Sequence, residues 1–239
     1  MWVVRTSVVI AENTSYSDFS SSSHASAHAR REVQALGGSV VYRYSPRLDT
    51  IYLNITNHCS NSCCFCVRNS SSGLSGYRLW LDREPTGDEI WAAFQDEVKM
   101  SDREAVWCGF GEPTLRLDTL LVLTKRIKQD YPNLKARLDT DGLANLRNAR
   151  RRVATELSDA GIDYVSTSLN AETQEKYEQL CRPSLPGSYQ GVLDFARDCR
   201  KHISHVRLTV VDLGGIDIQK CREIAEELGC DFKVRSIAH

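Results

Sequence analysis

The sequence predicts an α/β fold, an open partial (βα)6-like barrel. Three observations predict it. Short β segments and helical stretches alternate from Val40 onward. The helical stretches run roughly 10–16 residues, long enough to cross over between parallel strands. The polar residues of chemical interest fall just after strands. The count of about six strands in the repeat stops short of the eight of a closed barrel. A doubly wound open sheet shares the same pattern and is the alternative. In either fold the loops at the C-terminal strand ends form the active face.

Taken in order, "VVYRY" and "IYLNIT" read as short β segments joined by a turn containing Pro46 and Asp49. "GDEIWAAFQDEV" over 87–98 reads as a helix whose first turn carries Asp88 and Glu89, as a helix N-terminus favours. A strand over 104–109 and a helix over 118–130 follow. Next come the strand "KARLDT", a helix over 145–160 and the strand "DYVSTSL". Helices over 172–181 and 188–201, the strand "HVRLTVV", a helix over 217–228 and the strand "DFKVR" complete the alternation. Residues 1–38 differ. They are rich in Ser, Ala and His, with little apolar content before Val33, and read as a poorly ordered extension with a short helix over 26–35. His24 and His28 stand i,i+4 apart within it, a spacing that suits a metal or simply a polar tail. The core domain is expected over 39–239.

Composition narrows the partners. The 239 residues carry a formal net charge of −1, with 41% hydrophobic and 26% charged residues. This is ordinary for a globular domain and gives no electrostatic reason to expect nucleic acid or a membrane surface. No stretch approaches the roughly 20 apolar residues needed to span a bilayer. The cysteine count is odd, nine, and four of the nine crowd into residues 59–66. Neighbours so close cannot all form disulfides of good geometry, so a reducing, cytoplasmic setting with thiolate ligands is expected. Asn-x-Ser/Thr matches at Asn13, Asn54 and Asn69 are then coincidental.

The crowded cysteines lie in "NHCSNSCCFCVRN", directly after the strand 51–55. Cys59, Cys63 and Cys66 are spaced C-x3-C-x2-C. Three thiolates can hold three irons of a [4Fe-4S] cluster and leave the fourth iron open to a small molecule. Zinc is the rival, but structural zinc usually takes four ligands in two close pairs, and no second C-x2-C exists. Cys108, Cys181, Cys199, Cys221 and Cys230 are scattered singly and read as core or surface thiols. "CGFGEPTLR" ends the next strand. Gly109 and Gly111 permit a tight turn and close backbone approach, Glu112 supplies an acid, and Pro113 stiffens the exit.

The cysteine loop resembles that of the radical S-adenosylmethionine (SAM) superfamily, whose signature is C-x3-C-x2-C with an aromatic before the third cysteine. Phe65 holds that place. The resemblance assigns Cys59, Cys63 and Cys66 to the cluster, leaves Cys64 surplus and packed behind the loop, and puts Phe65 near the adenine. It implies that the Gly111–Glu112–Pro113 turn meets the methionine ammonium of SAM, with Phe110 standing where a glycine is expected. In "DTDGLANL", Thr140 is implied to reach the SAM carboxylate or ribose, while Asp141 replaces an expected Asn and suits the ribose, a substrate cation or a turn. Ser168 is implied to contact ribose or carboxylate. Asn170 either joins it or caps the following helix. Arg207 either meets a carboxylate in the cavity or faces solvent, with Thr209 and Val211 on its strand face.

More narrowly, the stretches "GYRLWLDREPT", "VSTSLNAETQEKYEQLCRP" and "DIQKCREIAEELGC" are similar to the small radical-SAM group associated with TatD-type hydrolases. The implied chemistry is reductive cleavage of SAM to a 5'-deoxyadenosyl radical. That radical abstracts hydrogen from an unidentified small-molecule substrate, with flavodoxin or ferredoxin as electron donor and a TatD-type hydrolase as a functional associate. The loop 70–86 is long enough for a lid, with Tyr77, Trp80 and Arg83 as possible substrate contacts. Two other classes stay open: an activating enzyme that makes a glycyl radical on a partner protein, and a non-catalytic zinc or iron-sulfur module.

Overall fold

The computed structural model describes residues 36–44, 47–69 and 73–236. Its seven strands form one sheet in strict chain order: β1 (Val41–Tyr42), β2 (Thr50–Leu53), β3 (Glu104–Trp107), β4 (Lys135–Thr140), β5 (Tyr164–Ser168), β6 (His205–Val211) and β7 (Asp231–Arg235). β1 is antiparallel to β2, and every later pair is parallel. β1 and β7 do not pair, so the six parallel strands curve into an open partial barrel. Helices cross over on its outside: α1 (Gly87–Glu97), α2 (Leu117–Asp130), α3 (Ala144–Arg147), α4 (Val153–Ala160), α5 (Gln174–Cys181), α6 (Ser188–Cys199) and α7 (Ile218–Glu227). No helix among the described residues is long and apolar enough to cross a membrane.

The period-2 alternation of each strand sorts its side chains. Ile51 and Leu53, Ala105 and Trp107, Ala136 and Leu138, and Val206, Leu208 and Val210 face outward into the main core beneath the helices. The opposite positions face the barrel lumen. There Tyr42, Tyr52, Val106 and Phe110 form a smaller apolar cluster, with Tyr42 and Tyr52 stacked at 5.1 Å. Most of the remaining inward positions are polar, as at Arg137, Asp139, Ser166 and Arg207, with Val211 an apolar exception. A lumen that holds charge rather than packed hydrophobes is built to hold something besides side chains.

Local chemistry sets the helix ends. Thr86 and Glu89 form a reciprocal capping box at the start of α1, and Arg83 pairs with Glu89. Thr173 caps α5 and Asp217 caps α7. The helix expected over 145–160 is broken in two. Asn148 donates both its backbone N–H (3.0 Å) and its side-chain amide (2.9 Å) to the Ala144 carbonyl, which ends α3 after one turn. Leu36, within the stretch expected to belong to the extension, is fully buried in the main core. His24, His28 and the helix expected over 26–35 lie outside the described residues.

Candidate active site

The cysteine loop leaves β2 at its C-terminal end and crosses the mouth of the barrel. It is held from three sides. On one side, Ser62 N–H donates to Cys181 O (3.0 Å), Cys64 N–H to Leu180 O (2.9 Å) and Ser184 N–H to Ser60 O (2.9 Å), so the loop lies along the end of α5. On a second side, the turn after β3 runs beside residues 56–58: Gly111 N–H donates to Thr56 O (2.9 Å) and Glu112 N–H to His58 O (2.8 Å). This approach leaves no room for side chains. A Cβ at Gly111 would lie 2.4 Å from His58 O, and one at Gly109 would lie 2.1 Å from Asn54 Oδ1. On the third side, Arg68 reaches back from the loop's exit to Asn57 O (3.0 Å) and Asn61 O (3.1 Å).

The three spaced thiols are all free and half-buried. Asn61 N–H points at Cys59 Sγ (3.4 Å) and Arg68 Nε–H at Cys66 Sγ (3.4 Å), donors of the kind that favour thiolate sulfur. Burial pushes the Cys59 thiol up to about 12. The neighbouring Cys181 and burial push Cys63 up as well. Such thiols keep their protons until a cation displaces them. Cys63 and Cys66 line a cavity of about 530 Å3 together with Trp80, Arg68 and Arg182. Cys64 is exposed and lines the same cavity, which overturns the expectation that it packs behind the loop. Adjacent residues project differently, and its turn aims Cys64 outward. Phe65 is half-buried against the main core. Among the described residues no three Cys, His, Asp or Glu side chains gather around a point suited to a single metal ion.

Glu112 is 3% exposed and lies at the centre of a network. Its Oε1 accepts from Thr114 N–H (2.9 Å), the Thr114 hydroxyl and the Thr140 hydroxyl (2.8 Å), and its Oε2 from Asp141 N–H (2.6 Å). Burial first, then the charge of Asp141, pushes its carboxyl up to about 7, against the pull of Arg147. Thr140 is thereby turned toward Glu112. Asp141 accepts Leu143 N–H (2.9 Å) and grips Arg147 with both oxygens, which accounts for its charge by a turn and an ion pair. Arg147 also donates to Ser60 Oγ (2.8 Å) and to the Thr114 hydroxyl. One guanidinium therefore joins the cysteine loop, the turn after β3 and the turn after β4.

Ser168 Oγ accepts from Arg235 Nη2 (3.3 Å) on β7. Asn170 is buried in the left-handed region (φ 59°), with Nδ2 3.6 Å from Cys181 Sγ and a buried Oδ1 that has no protein partner. It does not cap α5, because Thr173 does. Arg207 is set apart from this group. It lines a second cavity of about 400 Å3 with Thr50, Glu104, Arg137, Tyr164 and Ser166, at the N-terminal end of the strands. Thr209 and Val211 continue its face upward and are buried. Of the lid candidates, Tyr77 packs on Tyr42 (6.1 Å), Arg83 is engaged by Glu89, and Trp80 sits edge-on to Phe110 (5.3 Å) beside the cysteine cavity. Residues 70–72 lie outside the described residues.

Comparison with known proteins agrees with this geometry. A sequence model described as the radical SAM superfamily matches residues 53–228. The chain is 28% identical over 168 residues to the GTP 3',8-cyclase of Lactiplantibacillus plantarum, spanning 70% of this chain and 46% of that protein. It is 29% identical over 156 residues to the GTP 3',8-cyclase of Streptomyces coelicolor, spanning 64% and 42%. It thus covers under half the length of these curated relatives. Among solved structures, TYW1 with a lysine-pyruvate adduct bound superposes with a TM-score of 0.54 at 17% identity, over 89% of this chain and 74% of that one. Streptococcus suis SuiB bound to S-adenosylmethionine gives 0.55 at 17%, over 79% and 38%. Both likenesses are of fold. With the family model spanning most of the chain, the protein belongs to the radical SAM superfamily.

Proposed function

We propose that this protein is a radical SAM enzyme that binds a [4Fe-4S] cluster through Cys59, Cys63 and Cys66 and acts on a small-molecule substrate. The observation that carries the reading is the loop itself: three half-buried thiols in C-x3-C-x2-C spacing, at the C-terminal mouth of an open barrel, with N–H and guanidinium donors to sulfur. A four-iron cluster takes one thiolate on each of three different irons, so it does not ask three sulfurs to converge on one ion. When bound, such a cluster supplies an electron to SAM held at its open iron, giving methionine and a 5'-deoxyadenosyl radical.

The chain's own residues would bind and aim the reactants. Gly111 lets the turn pack against residues 56–58, which sets its backbone beside the cysteine loop where SAM would bind. Glu112 holds that turn and the Thr140 turn in register rather than competing for a ligand, since both of its oxygens are already accepting. Ser168 and Asn170 present short polar groups from β5, and the unpartnered Oδ1 of Asn170 is an acceptor in want of a donor. Phe65 shapes the adenine side. Residues 1–38 and 39–239 are proposed as extension and core, with Leu36 at the end of the former packed into the core, a cytoplasmic setting suits the free thiols, and flavodoxin or ferredoxin suits the electron supply. The narrower likeness to TatD-associated proteins, and any functional association with such a hydrolase, rests on the quoted sequence stretches.

Anaerobic reconstitution tests this. About four irons and four sulfides per chain are expected. Cys59→Ala, Cys63→Ala and Cys66→Ala each lose the cluster, while Cys64→Ala keeps it. With SAM and dithionite the reconstituted protein releases 5'-deoxyadenosine. Zinc in place of iron, or a cluster spectrum indifferent to SAM, would overturn the reading.

A further inference from the structure

The polar lumen below the cysteine loop is unevenly neutralised. On its β2–β4 side the charges are matched. Arg137 meets Glu104 (3.2 Å) and Asp139 (3.1 Å), and Arg47 meets Glu104 (3.1 Å). At the rim Arg103 meets Asp49 and Lys135 meets Asp163. On the β6–β7 side they are not. Phe232 and Val234 pack outward against the main core, so Lys233 and Arg235 alternate inward. Arg207 faces the lumen from β6, in the lower cavity it shares with Glu104 and Asp231. In the register Arg207 pairs with Asp231, Thr209 with Lys233 and Val211 with Arg235, so the three cations ascend one continuous face.

None of Arg207, Lys233 and Arg235 forms an ion pair with a described residue. Among the described residues Arg207 and Lys233 make no side-chain hydrogen bond, and Arg235 makes one, to Ser168, while its Nε is buried without a partner. The one acid on this face, Asp231, is exposed and reaches none of them as an ion pair. The repulsion registers on Lys233, which is exposed on the edge strand like Asp231, yet whose ammonium is pulled below its usual range by desolvation and then by Arg207, Arg47, Arg137 and Arg235. Like charges kept together without a counter-ion cost stability. Guanidinium forks match the paired oxygens of phosphate and carboxylate.

We propose that Arg207, Lys233 and Arg235 bind the anionic end, a phosphoryl or polycarboxylate group, of the substrate. The inference rests on the radical SAM reading for the word substrate, but its site does not depend on the cluster. The anion sits along the inner faces of β6 and β7. Arg235, through Ser168, joins it to the SAM side of the barrel, so the rest of the molecule extends toward the cysteine loop.

The test is a calorimetric titration of the full chain with sodium pyrophosphate and with sodium citrate, before and after anaerobic reconstitution. Sodium chloride at equal ionic strength is the reference. Saturable binding of either probe is expected. Arg207→Gln and Lys233→Gln are expected to weaken it at least tenfold (about 1.4 kcal/mol), and Lys125→Gln on the exposed face of α2 to leave it unchanged. Among the described residues neither Arg207 nor Lys233 has an ion pair to lose, and Arg207 gives up only a longer-range attraction to Glu104, so both variants should fold with thermal midpoints close to wild type without anion. Absence of binding beyond the chloride reference overturns the proposal, as does unchanged affinity in both lumen variants. Release of 5'-deoxyadenosine by the wild-type protein is read separately, so failure of the anion site and failure of the radical SAM reading remain distinct.

Discussion

Arg147 lies flat against Asp141, with Nη1 2.9 Å from Oδ2 and Nη2 3.0 Å from Oδ1, and the same guanidinium donates to Ser60 Oγ on the cysteine loop. The pair is nearly buried, with side chains 11% and 7% exposed. Its removal therefore does more than delete one contact. Arg147→Met leaves Asp141 and Glu112 as two neighbouring buried carboxylates without a cation. Truncating one partner of a buried pair costs about 3–5 kcal/mol. A fall of that size in urea-unfolding stability is expected. Asp141→Asn keeps the acceptor for Leu143 N–H and should cost about 1–2 kcal/mol. Equal losses in the two variants would show that the guanidinium is not the bridge.

Glu112 makes the same cluster sensitive to pH. Its folded value, about 7, lies above its ordinary 4.5. The native state therefore holds a proton that the unfolded chain has released. The contribution is fully present below about pH 4.5 and is lost as pH rises through about 7. Glu89, held down to about 2 by Arg83, loses its own contribution only at lower pH, outside this window. Between pH 5 and pH 8 the urea midpoint should fall by the equivalent of on the order of 2–3 kcal/mol. Glu112→Gln should flatten that slope, whatever it costs in absolute stability. A wild-type midpoint that rises over the same range would contradict the assignment.

The glycines of the turn after β3 are required by contact rather than by positive φ. Gly111→Ala sets a methyl 2.4 Å from two backbone carbonyls, Thr56 O and His58 O, which cannot swing aside as a side chain could. A loss of more than about 2 kcal/mol is expected, with weakened cluster retention because the displaced segment leads into Cys59. Gly187→Ala is the control. Its φ of 71° is unfavourable for alanine, but nothing lies within 4 Å of the added Cβ, so a cost of about 1 kcal/mol is expected. Thermal melts and iron content of the two variants separate contact from conformation.

The strand–helix alternation was legible because strand period and helix length are local properties. In "KARLDT" the outward Ala136 and Leu138 and the inward Arg137 and Asp139 can be told apart by spacing alone. The cysteine loop was legible as a spacing too. Height along the barrel was not. Period 2 places Arg207 on the lumen face with Thr209 and Val211, but only its position near the start of β6 sets it at the far end from the cysteines. Arg147 was missed because "LRNARRR" reads as a solvated basic face. Its burial follows from Asn148 ending α3 after one turn, a signal present in the sequence as an Asn next to the arginine. Trp80 and Arg182 reach the cysteine cavity from segments remote in sequence, which no local pattern reports.

Asn170 separates fold from ligand binding. Its left-handed φ of 59° is tolerated by Asn and Gly and strained for β-branched residues. Asn170→Val should cost about 2 kcal/mol or more through the backbone and the buried site. Asn170→Gly keeps the backbone conformation and removes a side chain whose one hydrogen bond among the described residues is a weak one to Cys181 Sγ, so stability should fall by no more than about 1 kcal/mol. If the unpartnered Oδ1 accepts a hydrogen bond from SAM, Asn170→Gly should still assemble a full cluster but bind SAM about tenfold more weakly, the worth of one buried hydrogen bond of roughly 1.4 kcal/mol. The change should appear as a shifted SAM titration of the cluster absorbance, with iron content unaltered. An Asn170→Gly protein that titrates like wild type would reduce Asn170 to a turn residue, chosen for its φ alone.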